Sequence, residues 1–334
     1  MQRTIIVGDV HGCFEELLDL LERVGLCPGD VLVSVGDLVD RGPAPGEVVR
    51  FFRERPNSVV VMGNHERKHV RGIFSYAQEI TRLQLGEGYA EAVAWMGTLP
   101  YFFENEQVRV VHAAMVPGVA LAEQRQDVLC GSTSGERELA RLFPDGFWHD
   151  RYSEDKPVVF GHHVTGPEPM IRGGRVFGLD TGACHGGNLT ALCVPGFTVH
   201  AVRARADHWS VTRRRWQLPV AKARPWPDLT WPELEAAVER LSARSGAGTR
   251  EWLEQVGAWA ARVRALLPAV AAAAERLAGE LTTAGLRAHP AAGLLFQARE
   301  GRLGEAGLAR RCSTPRRTMD VAAALGVAVP SFPR

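Results

Sequence analysis

Up to about residue 205, short apolar runs rich in β-branched residues alternate with segments whose apolar positions recur every three or four residues. Thr4–Val7 reads as a buried strand. Phe14, Leu17, Leu18 and Leu21 then fall at helical spacing within Phe14–Val24. Val31–Val35 reads as a second strand, Gly46–Arg53 as a short helix and Ser58–Met62 as a third strand. This β-α-β-α-β order predicts a largely parallel sheet covered by helices. Residues 66–99 read as mainly helical. Tyr101–Glu104 and Val108–Val111, joined by Asn105-Glu106-Gln107, predict a hairpin. Further strands are expected at Val158–Phe160, Arg175–Phe177, Thr190–Val194 and Thr198–Val202, whereas the pattern over 115–150 defines no element.

The pattern changes where Pro219, Pro225, Pro227 and Pro232 cluster. We divide the chain into a catalytic domain over 1–205, a Pro-rich connector or ordered crossover over 206–232, and an Ala-rich helical extension over 233–334. Within Thr249–Leu267, Trp252, Val256, Trp259, Val263, Leu266 and Leu267 form one apolar stripe. Such a stripe packs on its own domain, or serves as a lid, a protein contact or an oligomer interface.

Composition narrows the class. The 334 residues are 46% hydrophobic and 23% charged, ordinary for a globular protein, and a net charge of +1 gives no global attraction to nucleic acid or membrane. The six cysteines, at 13, 27, 130, 184, 193 and 312, contain no Cys-x-x-Cys pair and read as reduced thiols. No signal-like stretch precedes Thr4, and no uncharged apolar run reaches the ~18 residues of a membrane span. A cytoplasmic location is expected.

Three polar strings then stand out: Gly-Asp-Val-His-Gly at 8–12, Gly-Asp-Leu-Val-Asp-Arg-Gly at 36–42 and Gly-Asn-His-Glu at 63–66. Each follows a predicted strand, the position where α/β folds place their sites. Asp9 and His11 alternate across Val10, so both can point the same way from an extended segment. Asp37 and Asn64 come from the next two loops, and His112 and His162 follow two later strand-like runs. An array of carboxylate, imidazole and amide groups suits two adjacent divalent metals. Its mixed O and N donors fit Mn²⁺, with Fe or Zn²⁺ as alternatives, better than Mg²⁺ or Ca²⁺ alone.

These strings, with Val-His-Ala at 111–113, Gly-His-His at 161–163 and LDTGACHGGNLTAL at 179–192, resemble the signature of the calcineurin-like metallophosphoesterases, in their phosphoprotein phosphatase branch. The resemblance covers roughly residues 4–205. It is closer to bacterial Ser/Thr phosphatases, symmetrical dinucleoside tetraphosphatases and RNA-end phosphatases than to eukaryotic enzymes, since Arg67-Lys68-His69-Val70-Arg71-Gly72 follows the third string. It implies a four-layer α/β/β/α sandwich and direct hydrolysis by a metal-bridging hydroxide, without a covalent enzyme intermediate. By the resemblance, Asp9 and His11 bind one metal, Asp37 bridges, and Asn64, His112 and His162 complete the second site. His65 protonates the leaving oxygen, oriented by Asp40, and Arg41 clamps the phosphate. Arg151 is the candidate for a second clamp, and His163 a candidate substrate contact.

Other readings are weighed against this one. Asp9 alone reads as a helix cap. His65-Glu66-Arg67-Lys68-His69 matches His-Glu-x-x-His, a zinc-protease signature when it lies mid-helix; here it directly follows a strand and Gly63-Asn64. A non-catalytic regulatory protein on a phosphatase core is expected to lack metal ligands, and none is missing. For substrate, the lead is a phosphomonoester of the phosphoserine or phosphothreonine type. The rivals are symmetrical cleavage of dinucleoside tetraphosphates and removal of RNA 3′-phosphates or 2′,3′-cyclic phosphates.

Overall fold

Strand β1 (Thr4–Val7), helix α1 (Phe14–Arg23), β2 (Val31–Ser34), α2 (Pro45–Glu54) and β3 (Ser58–Val60) follow one another in the expected order in the computed structural model, which describes residues 2–334. The helical stretch resolves into α3 (Asn64–Val70), α4 (Tyr76–Leu85) and α5 (Tyr89–Met96). The hairpin β4 (Phe102–Glu104) and β5 (Arg109–Val111) comes next. Two helices, α6 (Gln126–Leu129) and α7 (Thr133–Leu142), occupy the region whose pattern was unreadable. The unit continues with β6 (Val158–Phe160), β7 (Met170–Arg172), β8 (Val176–Gly178), β9 (Asp180–Thr181), β10 (Asn188–Val194), β11 (Thr198–Arg203) and α8 (His208–Arg215).

The strands build two sheets. One runs β11-β10-β1-β2-β3, with β9 also on β10; the other runs β4-β5-β6-β8-β7. The β1–β2–β3 segment is parallel, placing Ile6 opposite Val33 and Val33 opposite Val59. In the second sheet β5, β6 and β8 are parallel, with Val110 opposite Val159 and Val159 opposite Phe177. The expectation of a largely parallel sheet is corrected, because β10 and β11 join the first sheet antiparallel and β4 and β7 edge the second antiparallel. β10 pairs with β1 across most of the unit, a partnership that no local pattern encodes.

Strand alternation sorts the apolar side chains into layers. Ile6, Val33 and Val35 meet Val110, Val159 and Phe177 between the sheets. Ile5, Val7 and Leu32 face outward with Leu17 and Leu20 of α1 and Val48 and Phe52 of α2. Val111, Val158 and Phe160 face the other way, with Val128, Leu129 and Trp148. This is the four-layer α/β/β/α sandwich. β7 and β9 escaped the sequence reading because neither has an apolar run: β7 is mostly exposed, and β9 is Asp-Thr.

The chain divides into two compact units, one ending at Trp216 and the other spanning Gln217–Arg334. The stretch 206–232 is therefore ordered: α8 closes the first unit, and α9 (Gln217–Lys222) opens the second. The second unit is wholly helical, with α10 (Trp231–Ser242), α11 (Ala247–Arg264), α12 (Leu267–Glu280), α13 (Thr283–Ala288), α14 (Ala292–Arg299), α15 (Glu305–Arg311) and α16 (Pro315–Ala324). The apolar stripe lies mainly on α11 and is spent inside this unit. Trp252, Val256, Trp259 and Val263 are buried with Trp226, Leu234 and Ala237. Trp226 and Trp259 are fully enclosed; burying a large apolar side chain contributes ~1.5–3 kcal/mol. Ala247–Glu280 is long and apolar enough, by length and composition, to cross a membrane. Here it forms α11 and α12, broken at residues 265–266, with these tryptophans in the unit's own core.

Candidate metal centre

The parallel strands β1, β2 and β3 of one sheet and β5 and β6 of the other each run into a loop that carries site residues. After β1 come Asp9 and His11; after β2, Asp37, Asp40 and Arg41; after β3, Asn64 and His65. His112 follows β5, and His162 follows β6. Turning these side chains into one volume bends the backbone sharply. His11, Asp37, Asp40, Arg41 and His162 have φ of 45°, 52°, 70°, 66° and 71°. Left-handed conformations cost non-glycine residues ~1–3 kcal/mol each and persist where the surroundings enforce them. Two glycines let the carboxylates in: a Cβ at Gly161 would collide with the Asp9 carboxylate, and one at Gly63 with that of Asp37.

The histidines are wired alike. His11 Nδ1 lies 2.8 Å from the Val39 carbonyl oxygen, and His112 Nδ1 lies 2.9 Å from that of Val35. A carbonyl only accepts, so each Nδ1 donates and each Nε2 is left with a lone pair. Those lone pairs face Asp37: His11 Nε2 is 3.6 Å from Oδ2, and His112 Nε2 is 3.4 Å from Oδ1. His162 is reversed. Its Nε2 lies 3.1 Å from Glu136 Oε1, and its Nδ1 lies 3.2 Å from Asn64 Oδ1. Three imidazole lone pairs thus converge around one carboxylate, each fixed by an acceptor on its far nitrogen, as is usual for metal-ligating histidine.

Buried negative charge points the same way. Asp9, Asp37 and Asp180 are each at most 5% exposed. Burial first, then the charges of Asp180 and Asp37, push the Asp9 carboxyl well above its usual range. Burial also raises Asp180, with Asp37 adding to it. For Asp37, burial is outweighed by the surrounding histidines, His112 foremost, which hold it below the usual range. Burial pushes His112 down to about 4, so its imidazole is neutral and able to ligate. The Arg41 guanidinium acts on Asp9, Asp37 and Asp180. Three enclosed carboxylates beside the His11 and His112 imidazoles, which burial keeps neutral, are short of positive charge, and bound cations would supply it. The Asn64 amide fits either state: its oxygen toward the centre suits a cation, whereas its nitrogen would donate to Asp37, His112 and His162.

Beside this cluster, Asp40 grips His65. Its Oδ2 is 2.5 Å from His65 Nδ1, its Oδ1 is 2.9 Å from His69 Nε2, and the Gln78 amide also donates to it. His69 Nδ1 lies 3.0 Å from the Tyr89 hydroxyl. The burial penalty on Asp40 is overcome by hydrogen bonds from His65 and His69, which keep it ionised. Arg41 reaches inward, its two terminal nitrogens 3.0 Å from His11 Nε2 and 3.1 Å from His65 Nε2. Asp9 does not cap a helix: α1 starts after Cys13, and both Asp9 oxygens accept from the His162 backbone N–H at 3.1 Å.

The structure explains the His-Glu-x-x-His run. It occupies the seven-residue helix α3, where Glu66 accepts from the backbone N–H groups of Asp37, Leu38, Val39 and Gly63 at 2.8–3.2 Å. That carboxylate, raised to about 7 by burial and the charge of Asp37, buttresses the second loop. His69→Ala is expected to leave a phosphoesterase active but slower, because His69 orients Asp40. A fall of ~10-fold in turnover of an unactivated phosphomonoester is expected, since such supporting partners are worth ~10–100-fold. Steady-state kinetics of His69→Ala beside Tyr89→Phe checks this; a zinc protease would instead lose all peptidase activity.

Not every expected residue arrives. Arg151 is exposed at the end of a short turn and has no side-chain hydrogen bond or ion pair to a site residue among the described residues. The loose motif around it aligned by type but not by direction. His163 is at the rim, its side chain 64% exposed and its Nε2 3.3 Å from Glu136. Sequence reasoning missed three contributors. Asp180 was hidden in a two-residue strand, although its Leu-Asp-Thr-Gly setting was visible. Glu136 came from the unassigned region, and Gln78 carried no motif.

Residues 2–217 match the model of the calcineurin-like phosphoesterase family, and the chain belongs to that family. It is a hydrolase of phosphate esters or anhydrides. Among curated relatives, the symmetrical bis(5′-nucleosyl)-tetraphosphatase of Enterobacter sp. (strain 638) is 28% identical over 257 residues, covering 57% of this chain and 90% of the relative. That of Citrobacter koseri is 29% identical over the same length and coverage. A crystal structure described as a diadenosine tetraphosphatase is similar at a TM-score of 0.50 and 28% identity, over 61% of this chain and 94% of the other.

Proposed function

We propose that the protein hydrolyses dinucleoside polyphosphates symmetrically, at a two-metal centre built on Asp37. The observation that carries the metal assignment is the convergence of the His11, His112 and His162 lone pairs on that carboxylate. Asp9, His11 and Asp37 would hold one ion, and Asp37, Asn64, His112 and His162 the other. The donor set suits Mn²⁺, with Fe or Zn²⁺ as alternatives. When bound, such ions neutralise phosphoryl oxygens and make water a competent nucleophile at neutral pH.

The protein's own groups do the rest. Arg41 is placed to exchange its contacts with the two histidine rings for a bidentate grip on phosphate oxygens. Asp40 fixes His65 with Nδ1–H turned away, so that Nε2 faces the phosphate and can protonate a departing oxygen. Water attacks phosphorus directly, and no side chain is acylated or phosphorylated.

The nucleotide reading has two supports. The relatives at 28–29% identity are symmetrical tetraphosphatases. Beside the centre, at His163 and Glu136, opens a cavity of about 480 Å³ with Phe147, Trp148, His149 and Phe160 in its wall. Phe147 and His149 stack at 5.1 Å and 14°, and Phe147 is 65% exposed. That is a platform for a planar base, where stacking contributes ~1–3 kcal/mol. The phosphoserine and RNA-end readings need only the metal centre.

A substrate panel in Mn²⁺ decides among them: diadenosine tetraphosphate, a phosphopeptide, an RNA 2′,3′-cyclic phosphate and an aryl phosphate. Diadenosine tetraphosphate is expected to show the highest kcat/KM, by ~10-fold or more, with ADP as the sole nucleotide product. All activity should vanish with chelator and return with Mn²⁺. Preference for the phosphopeptide, or AMP and ATP as products, overturns the reading.

A further inference from the structure

Asn64, Arg67 and Lys68 on α3 and Arg71 at its C-cap stand at i, i+3, i+4 and i+7, along one face of the helix and its end. They line a cavity of about 240 Å³ closed on the other side by Gly131, Ser132, Thr133 and Ser134, at the entry to α7. Asn64 also lies 3.1–3.2 Å from His112 and His162, so the cavity and the metal centre share one wall residue.

The charges in this cavity do not cancel. Arg67 is buried and already engaged, with one terminal nitrogen 3.1 Å from Cys130 Sγ and the other paired with Asp127. Asp127 stands behind the cavity wall, joined to it through Arg67 and Ser134. It is shared further with Ser134 Oγ at 2.7 Å and with Arg125 at 3.6 Å. Lys68, half-buried, and Arg71, exposed, form no side-chain hydrogen bond or ion pair among the described residues. Asp127, which also feels the charge of Arg71, is one carboxylate against the three cations Arg67, Lys68 and Arg71, so positive charge remains beyond what a phosphomonoester needs. A monoester places its only phosphate on the centre itself.

We infer that this cavity is a subsite for the phosphates of a polyphosphate chain that flank the one being attacked, with Lys68 and Arg71 as its cationic donors. The inference deepens the proposed dinucleotide reading and rests on it for the physiological ligand. It also puts the phosphate-binding cations beyond Arg41 on α3 and its C-cap rather than at Arg151. A chain crossing from the centre onto α3 meets charge-assisted donors, the stronger class of hydrogen bond. Exposed charges make the contact sensitive to salt.

The test uses the full-length protein with Mn²⁺ and does not require the tetraphosphate to be the substrate. With p-nitrophenyl phosphate as reporter, inorganic tripolyphosphate and orthophosphate are titrated as inhibitors of wild type, Lys68→Ala, Arg71→Ala and the double variant. Tripolyphosphate spans centre and subsite, whereas orthophosphate reaches the centre alone. The double variant is expected to weaken tripolyphosphate inhibition ~10-fold or more, with orthophosphate inhibition and reporter kcat within ~3-fold of wild type. Lys68→Arg should retain tight inhibition. The KM for diadenosine tetraphosphate should rise in parallel. An unchanged tripolyphosphate inhibition constant in the double variant overturns the subsite, even if the tetraphosphate is turned over normally. Loss of tripolyphosphate inhibition in an enzyme that ignores the tetraphosphate keeps the subsite and overturns the dinucleotide reading.

Discussion

Asp37→Asn is expected to reduce turnover of every phosphate substrate by at least ~10³-fold, about 4 kcal/mol of transition-state stabilisation at 1.36 kcal/mol per decade. Asp37 lies 3.4–3.9 Å from the ring nitrogens of His11, His65 and His112, and one of its oxygens also accepts from the His65 backbone N–H at 3.1 Å. An amide keeps the shape and removes the charge. It leaves one oxygen to face two metal positions where a carboxylate has two. The loss should fall on kcat and on metal content together, measured by steady-state kinetics in saturating Mn²⁺ and by metal analysis of the purified variant. Near wild-type turnover with two metals per chain would falsify the bridging role. Glu66→Gln is the contrasting case: it removes no metal donor, and although one of the two oxygens that accept from backbone N–H groups becomes an NH2, the loss of turnover should be smaller than for Asp37→Asn.

The second large effect depends on the leaving group. His65→Asn should slow hydrolysis of an alkyl phosphate by ~10²–10⁴-fold, the usual contribution of a positioned general acid. An alkoxide is too basic to leave without a proton. A dinitrophenolate leaves unaided, so its release should fall less than ~10-fold. A phosphoanhydride lies between, because the departing phosphate has a pKa near ~6. A plot of log kcat against leaving-group pKa should therefore be steeper for His65→Asn than for wild type. Equal losses across the series would mean that His65 orders the site without donating a proton. His69→Ala, which acts through Asp40, should steepen the same plot by a smaller amount.

Much of this site was legible because its residues sit in short loops directly after strands with strong apolar runs. Asp9, His11, Asp37, Asn64, His112 and His162 could be named from type, order and strand context alone. The pairing of Asp40 with His65 came only from the family resemblance, and the structure places them 2.5 Å apart. The failures share one cause. Arg151 and Glu136 lie where local pattern is weak, Gln78 carries no motif and Asp180 had a visible motif but no assigned role, so in each case nothing along the chain says which way the side chain turns. Arg151 had a suitable type but points to solvent. Glu136 had no motif, yet α7 brings it to 3.1 Å from a metal-centre histidine.

For this protein the sequence by itself determined most of the elements of the first unit, the four-layer sandwich through its family resemblance, and the phosphoryl chemistry. Each of those depends on residue type and near spacing, quantities that a linear chain carries. Tertiary structure alone decided that both sheets are mixed, that the tryptophans of α11 pack within the second unit, and that His69 steadies Asp40. It also decided that a cationic face of α3 borders the centre opposite the entry to α7. These depend on which distant segments pair, through long-range packing whose energy is shared among many contacts and written in none of them singly.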